Sequence, residues 1–218
     1  QSKCRRGKMD EPVAIKFLKR FITDNAPLPK IAAVPADRKE RIAVVGAGPA
    51  GLTAARDLAL RGYKVTVFEE LPEPGGMLRW AIPAYRLPRN ILAREIDDVR
   101  ALGVDIQCGA RVGRDIPWQK VAAKYDVVYL APGAHASQKM DVPGEDLGGV
   151  WGGVEFLRDF NANEGAWQTG KKSLGAKVAV VGGGNSAIDA ARVAARLGAE
   201  VTILYRRERK DMPAAEEE

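Results

Sequence analysis

The chain has 218 residues, 46% of them hydrophobic, and 34 basic against 28 acidic residues give a formal net charge of +6. This length and apolar content indicate one large or two small globular domains and argue against disorder of the whole chain. Basic and acidic residues are intermixed along the sequence, which disfavours a nucleic-acid partner. No stretch approaches the roughly 18 apolar residues of a membrane span, and the N-terminal residues lack a signal-like apolar centre, so we expect a cytoplasmic protein without a membrane contact.

The cysteine content excludes one class of redox enzyme. Only Cys4 and Cys108 are present, and they are far apart in the sequence. They form neither a disulfide framework nor a Cys-x-x-Cys pair, so a dithiol reductase mechanism is excluded. Cys108 ends an alternating run that predicts a short strand, and we interpret it as a small packed residue without chemistry.

The first predicted element is an amphipathic helix over residues 11–25. Its apolar side chains, Phe17, Leu18 and Phe21 among them, follow helical spacing, and we expect the aromatic side to pack against another part of the protein. A segment containing Pro27, Pro29 and Pro35 cannot continue the helix and predicts a linker. A domain boundary is therefore expected near Ala36.

A strand, a glycine turn, a helix and a second strand are predicted from Arg41 onwards. The turn has the G-x-G-x-x-G pattern of a dinucleotide site: Gly46 allows the tight turn, Gly48 lets the backbone approach a pyrophosphate, and Gly51 lets the helix pack on the strand. Glu69 ends the second strand 23 residues after Gly46. An acid about 20 residues after the turn is expected to bind the ribose hydroxyls of the adenosine.

The same elements return later in the chain. Adding 136 to each number maps Gly46 onto Gly182, Gly48 onto Gly184 and Val65 onto Val201, which indicates an internal repeat of the βαβ unit. Between the copies we predict a helix over residues 90–102, a strand near Cys108, a strand over residues 127–130 and a glycine-rich connection.

The second copy differs from the first at the end of its second strand, where the adenosine ribose is expected to bind. The position equivalent to Glu69 is Tyr205, and Arg206 and Arg207 follow it. A guanidinium suits a 2′-phosphate that a carboxylate would repel, so NADP is favoured over NAD. A solvated basic turn remains the alternative interpretation of the two arginines. Gly183 occupies a variable position of the turn, so a change to alanine there is expected to be mild.

The region after Glu69 carries a family resemblance. The run EELPEPGGMLRWAIPAYRLPRNIL, with GAGPAGL before it and YDVVYLAPGA after it, resembles the FAD-binding part of the glutamate synthase small-subunit family. That family includes the amino-terminal half of dihydropyrimidine dehydrogenase and the NADPH-binding subunit of bifurcating transhydrogenases. The resemblance spans nearly the whole chain.

The resemblance implies a set of cofactor-binding residues. The FAD residues are Gly46, Ala47, Gly48, Pro49, Ala50, Glu69, Gly76, Met77, Arg86, Val112 and Gly133, the last with Ala131 and Pro132 under the pyrophosphate side. A surface salt bridge remains the alternative for Arg86. The repeated turn predicts that Gly183, Gly184, Asn185, Ser186, Arg206 and Arg207 bind the nicotinamide nucleotide.

The resemblance also implies that the chain is an internal fragment. Cys4 matches the last cysteine of a cluster-binding domain, but a [4Fe–4S] cluster needs about four thiolates, so the full-length protein would supply the others. The FAD domain would close after an inserted NAD(P) domain, and that closing part is absent from this sequence. The expected partner is a catalytic subunit or domain such as a glutamate synthase large subunit.

These observations predict an α/β protein in which a short helical segment precedes two Rossmann-like units. The two units resemble a glutathione-reductase-like FAD domain with an inserted NAD(P) domain, here incomplete. The predicted domains are residues 1–35 for the tail of a helical, iron–sulfur domain with its linker, 36–142 for FAD, 143–175 for a connection and 176–218 for NAD(P). The expected function is transfer of hydride from NAD(P)H to FAD and of electrons through iron–sulfur clusters to a partner, and a non-catalytic FAD/NAD(P)-binding module is the alternative. No catalytic side chain is expected, and His135 is interpreted as incidental.

Overall fold

The computed structural model describes residues 4–26, 32–215 and 218, which fall into two compact units divided after Ala32. The smaller unit contains a 3-10 turn at Arg5–Lys8 and helix α1 (Ile15–Asn25). Phe17, Leu18 and Phe21 are exposed on this helix, and the expected packing of its aromatic side stays a prediction. The linker predicted after α1 lies partly outside the described residues.

The larger unit contains a four-stranded parallel sheet. Its strands are β1 (Arg41–Val45), β2 (Lys64–Glu69), β3 (Asp105–Cys108) and β4 (Val127–Leu130). Their order in the sheet is β3-β2-β1-β4, so the chain moves outward in one direction from β1 and then returns to its other side. This reversal places a topological switch point between β1 and β4, where dinucleotides bind in open α/β sheets.

Helices cover both faces of this sheet. Helices α2 (Pro49–Ala59) and α5 (Trp118–Lys124) pack on its strands, α4 (Arg89–Ala101) packs against α2, and the short helix α3 (Met77–Trp80) packs against α4. Ala43 packs with Val121 of α5, whereas Val44, one residue on, faces the start of α2. Because successive side chains of a strand point to opposite faces, β1 is buried on both sides at its centre, where Ile42, Ala43 and Val44 are small or β-branched.

The predicted repeat is present in the structure. Strands β5 (Lys177–Val181) and β6 (Glu200–Leu204) are parallel, and helix α8 (Asn185–Arg196) connects them. Val178 lies opposite Val201, as Ile42 lies opposite Val65 in the first copy. The strand register is therefore the same in both copies after a shift of 136 positions.

The segment predicted as a glycine-rich connection contains two helices, α6 (Gly153–Ala162) and α7 (Glu164–Gln168). Phe156, Leu157 and Phe160 of α6 form a hydrophobic cluster with Trp167 and with α8. Glycines at the start of this segment obscured the helical spacing of its apolar residues. The connection is thus a packed layer that holds the second copy.

None of the helices in the described ranges has both the length and the apolar character needed to cross a membrane.

Candidate functional site

A cavity of about 610 Å³ lies at the carboxyl ends of the four strands of the first sheet. Glycine, alanine and proline form much of its wall, so the backbone is close to the space inside. The lining residues are Val45, Gly46, Gly48, Pro49, Ala50, Phe68, Glu69, Glu70, Gly76, Met77, Ala110, Arg111, Val112, Ala131, Pro132, Gly133 and His135.

The first glycine turn connects β1 to α2 on one side of the cavity. Gly46 has a φ of +106°, and a Cβ there would lie 2.1 Å from the carbonyl oxygen of Ala131, so only glycine fits. Gly48 caps α2 and Pro49 is its first residue. The N–H groups of a first helical turn have no intrahelical acceptor, and the helix dipole favours an anion there.

Another glycine turn, at Gly75 and Gly76, faces the Gly46 turn. The Gly75 N–H donates to the Ala47 carbonyl over 2.8 Å, and a Cβ on Gly76 would lie 2.6 Å from the Cα of Gly48. Gly76 has a φ of +53° and caps the short helix α3, which begins at Met77. The two turns therefore touch through their backbones, and both line the cavity.

Glu69 is 5% exposed and lies at the end of β2 beside the first turn. Its Oε2 accepts a hydrogen bond from the Ala47 N–H over 2.7 Å, and its Oε1 accepts one from the Leu71 N–H over 2.9 Å. The predicted ribose acid thus also holds the glycine turn in place. Ala47 itself is fully buried behind the turn and does not line the cavity.

The loop after β3 forms the far end of the cavity wall. Val112, which the sequence predicted, lines the cavity together with Ala110 and Arg111. The Arg111 guanidinium lies 3.4 Å from the Glu70 carboxylate. Neither charged residue was predicted, because a residue before Val112 and a second acid after Glu69 carry no motif of their own.

The loop after β4 closes the opposite end. Ala131, Pro132 and Gly133 line the cavity, and the Ala131 N–H donates to the Val45 carbonyl over 2.8 Å. His135 also lines the cavity, and its Nδ1 is buried without a hydrogen-bond partner in the described part of the chain. From the sequence alone, this histidine is interpreted as incidental.

Arg86 lies outside the lining of this cavity. Its Nη1 is 2.5 Å from Oδ2 of Asp189 on α8, and its Nε is 3.0 Å from a carboxylate oxygen of Glu218. Asp189 is 4% exposed. The arginine therefore joins the first copy of the repeat to the second, and its predicted contact with FAD stays a prediction.

The glycine turn of the second copy, Gly182 to Gly184, repeats the backbone contacts of the Gly46 turn. The Gly182 N–H donates to the Leu204 carbonyl over 2.9 Å, as the Gly46 N–H donates to Phe68 over 2.7 Å. Gly184 caps α8, and the predicted residues Asn185 and Ser186 begin the helix.

The third position of the motif shows why the copies differ. A Cβ on Gly51 would lie 1.9 Å from the Gly46 carbonyl oxygen, so the first copy requires glycine. Ala187 holds the equivalent position in the second copy, 3.1 Å from where a Gly182 Cβ would lie. Gly183 is more constrained than its motif position indicates, because a Cβ there would lie 2.7 Å from the Tyr205 ring.

Arg206 and Arg207 follow β6 and are exposed. Neither forms an ion pair within the described residues. Tyr205 packs over the Gly183 turn and donates its hydroxyl to the Asp211 carbonyl over 2.9 Å. The two guanidinium groups are thus available to an anion near the end of β6.

The two cysteines lie in different surroundings. Hydrogen bonds from the backbone of Val13 and Arg6 lower the pKa of the half-buried Cys4 thiol. Burial, with the nearby Glu69 carboxylate, raises the pKa of Cys108. Among the described residues no group of three or more histidine, cysteine or acidic side chains could hold a metal ion. Cys4 as a cluster ligand stays a prediction.

The first cavity fits FAD. The Gly46–Gly48 and Gly75–Gly76 turns lie so close together that a Cβ added to Gly76 would be 2.6 Å from the Gly48 Cα, and the α2 N-terminus beside them can receive a pyrophosphate. The buried Glu69 carboxylate lies at the end of the neighbouring strand, where a ribose is expected.

The sequence from residue 40 to residue 218 matches the pyridine nucleotide-disulphide oxidoreductase family. The chain belongs to this family. The match includes both glycine turns and all six strands, so the α/β fold predicted from the sequence is confirmed. Both cysteines of this family member are free thiols.

Curated relatives show the same membership. The chain is 47% identical to the NADP(+)-dependent formate dehydrogenase subunit beta of Moorella thermoacetica, over 98% of this chain and 33% of the relative. It is 35% identical to the glutamate synthase [NADPH] small chain of Halomonas elongata, over 94% of this chain and 45% of the relative. The resemblance to the glutamate synthase small-subunit proteins is therefore confirmed. The chain spans about a third of the first relative and less than half of the second.

A solved structure has a similar fold. Mycobacterium tuberculosis FprA in complex with NADPH superposes with a TM-score of 0.70 at 25% identity, over 81% of this chain and 45% of that chain.

Proposed function

We propose that the full protein binds FAD in its first nucleotide unit and NADPH in its second, and that it passes electrons from NADPH to a partner. The two copies have equivalent glycine turns but different residues where the adenosine ribose would bind. This difference is the observation that carries the proposal. Glu69 stands at the end of β2, whereas Tyr205, Arg206 and Arg207 stand after β6. The first arrangement suits a ribose with free hydroxyl groups, and the second suits a phosphorylated ribose.

The residues of this chain supply binding and orientation. The α2 N-terminus and the Gly48–Gly76 contact would hold the pyrophosphate of FAD, and Glu69 would hold the adenosine ribose. FAD, when bound, accepts a hydride from a nicotinamide and releases electrons singly, so no side chain needs to act as an acid or base.

The relatives support the choice of NADPH and of a partner. The names of the Moorella and Halomonas proteins include NADP or NADPH and the words subunit or small chain. We propose by analogy that this chain is part of a subunit whose electrons leave through iron–sulfur clusters to a catalytic partner. In that assembly Cys4 would be one cluster ligand, with the others supplied by the rest of the protein.

The test is anaerobic titration of the full-length, FAD-containing protein with NADPH and, separately, with NADH. We expect NADPH to bleach the visible flavin absorbance and NADH to do so at higher concentration. A protein that binds both nucleotides but whose flavin is never reduced would be the non-catalytic module instead. Preferential reduction by NADH would contradict the assignment of Arg206 and Arg207.

A further inference from the structure

One cation at the rim of the FAD cavity has no assigned role. Among the described residues that line the cavity, Arg111 is the only arginine or lysine. Its Nε lies 3.4 Å from Oε2 of Glu70, which directly follows the buried Glu69. The Arg111 side chain keeps about half of its surface exposed, at 54%. It is therefore accessible at the rim and is held by a single carboxylate.

The backbone that carries Arg111 is held by a compact turn. The Arg111 N–H donates to Oδ2 of Asp115 over 3.0 Å, and the Arg111 carbonyl accepts from the Asp115 N–H over 2.8 Å. A bridge between Val112 and Ile116 closes the turn. The Arg114 guanidinium lowers the pKa of Asp115 to about 2, so this carboxylate is charged at any ordinary assay pH. The backbone of Arg111 is thus fixed, while its guanidinium pairs with Glu70 and keeps an exposed surface that a ligand can contact.

The strand order shows which part of a ligand reaches this residue. Going outward from β1, the glycine turn follows β1, Glu69 ends β2, and Arg111 lies in the loop after β3. A dinucleotide with its pyrophosphate at the α2 N-terminus and its ribose at Glu69 extends its base towards the end of β3. The inference below therefore rests on the proposed binding of FAD.

We propose that Arg111 determines the preference of this site for an adenine dinucleotide, with its guanidinium covering the adenine ring of FAD. A guanidinium is planar and weakly hydrated and stacks on aromatic faces, whereas an ammonium is a compact, strongly hydrated charge. Glu70 orients the guanidinium through their ion pair. FMN has no adenosine and gains nothing from Arg111.

The experiment measures binding to the full-length protein after removal of its flavin. FAD, ADP and FMN are titrated separately into the wild type and into Arg111→Ala, Arg111→Lys and Arg114→Ala. Arg114 is the matched control because it lies in the same turn, pairs with Asp115 and does not line the cavity. Thermal unfolding of each flavin-free variant tests whether the fold is retained.

We expect Arg111→Ala to raise the dissociation constants of FAD and ADP by about tenfold, a typical loss for one base–side-chain stack, and to leave FMN unchanged. Arg111→Lys keeps the charge but not the plane, so it should bind FAD nearly as weakly as Arg111→Ala. Arg114→Ala should bind all three ligands as the wild type does.

Three results would overturn the role of Arg111 without refuting the proposed binding of FAD by the wild type. The first is an Arg111→Ala variant that binds FAD and ADP as tightly as Arg114→Ala does. The second is an equal loss of FAD and FMN affinity in Arg111→Ala, which would place Arg111 on the flavin side of the cavity. Full recovery of FAD binding in Arg111→Lys would replace stacking with a simple charge effect and would also contradict the proposal. A wild type that binds no FAD would instead refute the proposed function.

Discussion

The carboxylate of Glu69 accepts hydrogen bonds from two backbone N–H groups, one in the glycine turn and one in the loop beyond β2. The dinucleotide motif assigns this residue to a ribose, but these contacts exist in the protein alone. Glu69 is 5% exposed, so its removal leaves the Ala47 and Leu71 N–H groups without their acceptor in a poorly hydrated place. The side chain that we propose to bind the ribose therefore also holds the local backbone.

Glu69→Ala should lower the stability of the FAD-free protein by about 1–3 kcal/mol, the usual penalty for buried donors left unpaired. It should also weaken FAD retention by a similar amount. Urea unfolding of the flavin-free protein and FAD content after dialysis measure the two effects separately. Glu73→Ala is a suitable control, because its exposed carboxylate pairs with Arg79 and does not line the cavity. Unchanged stability with lost FAD would show that Glu69 serves the cofactor alone.

Gly48 and Gly46 differ in what a side chain would meet. At Gly48 the nearest atom to an added Cβ is the Gly76 Cα at 3.8 Å, and the residue lines the cavity. We expect Gly48→Ala to fold with a loss below about 1 kcal/mol but to bind FAD at least about tenfold more weakly, because the methyl group enters the pyrophosphate site. Gly48→Val should abolish FAD binding.

Gly46→Ala is the contrasting variant. Its Cβ would lie 2.1 Å from the Ala131 carbonyl oxygen at a φ of +106°, so we expect a loss of folded protein rather than of FAD binding alone. Circular dichroism and flavin fluorescence titration separate the two outcomes. Equal loss of folding in Gly48→Ala and Gly46→Ala would contradict this distinction.

At the scale of elements, we propose that the end of β6 determines which nicotinamide nucleotide binds. Arg206 and Arg207 are exposed there, while the Tyr205 ring covers the Gly183 turn. The tyrosine leaves no carboxylate that would repel a 2′-phosphate. Because neighbouring residues of an extended segment point in different directions, the two arginines should contribute unequally.

Arg206→Ala should raise the Michaelis constant for NADPH about ten- to hundredfold and leave NADH nearly unchanged, since a charge-assisted contact is worth about 1.5–3 kcal/mol. Arg207→Ala should have a smaller effect. Arg209→Ala, in the following exposed turn, is the control. Steady-state activity with each nucleotide at low and high salt provides the measurement, because salt should weaken an exposed phosphate contact. Equal loss of both nucleotides would assign Arg206 to the fold or to a partner interface.

At the scale of the whole larger unit, side chains of the loop after α3 and of helix α8 join the two copies of the βαβ unit. Arg86 pairs with the buried Asp189, and the guanidinium groups of Arg192 and Arg196 lie 4.8 and 3.8 Å from the centre of the Tyr85 ring. Asn161 of α6 adds a hydrogen bond to the Trp80 carbonyl. The relative placement of the copies therefore depends on polar and cation–π contacts as well as on the hydrophobic cluster of α6 and α8.

Asp189→Asn should destabilise the protein by about 1–3 kcal/mol, because the Arg86 guanidinium loses a charged, buried partner. The exposed pair of Lys177 and Glu200 provides the control, and Glu200→Gln should cost less than about 1 kcal/mol. Urea unfolding of both variants measures the difference. If the two changes cost the same, the ion pair of Arg86 contributes no more than a surface contact.

Much of the fold could be predicted because its signals are local. The strands β1, β2 and β4, helices α2 and α4 and both glycine turns lie where the periodicity and the motif placed them. A positive φ at Gly46 or Gly182 restricts the residue type at that position, so the restriction is visible in the sequence. The helices α6 and α7 were missed because neighbouring glycines interrupt their pattern.

By itself, the sequence determined the repeated βαβ unit, the two glycine turns, the acid at the end of β2 and the arginines after β6, since backbone conformation and strand length depend on neighbouring residues. Only the tertiary structure decided that Gly76 touches Gly48, that Arg111 and His135 reach the cavity, and that Arg86 pairs with Asp189 across 103 positions. These contacts join residues far apart in the chain. They arise from the order of parallel strands and the packing of helices between the copies, and no local pattern encodes them.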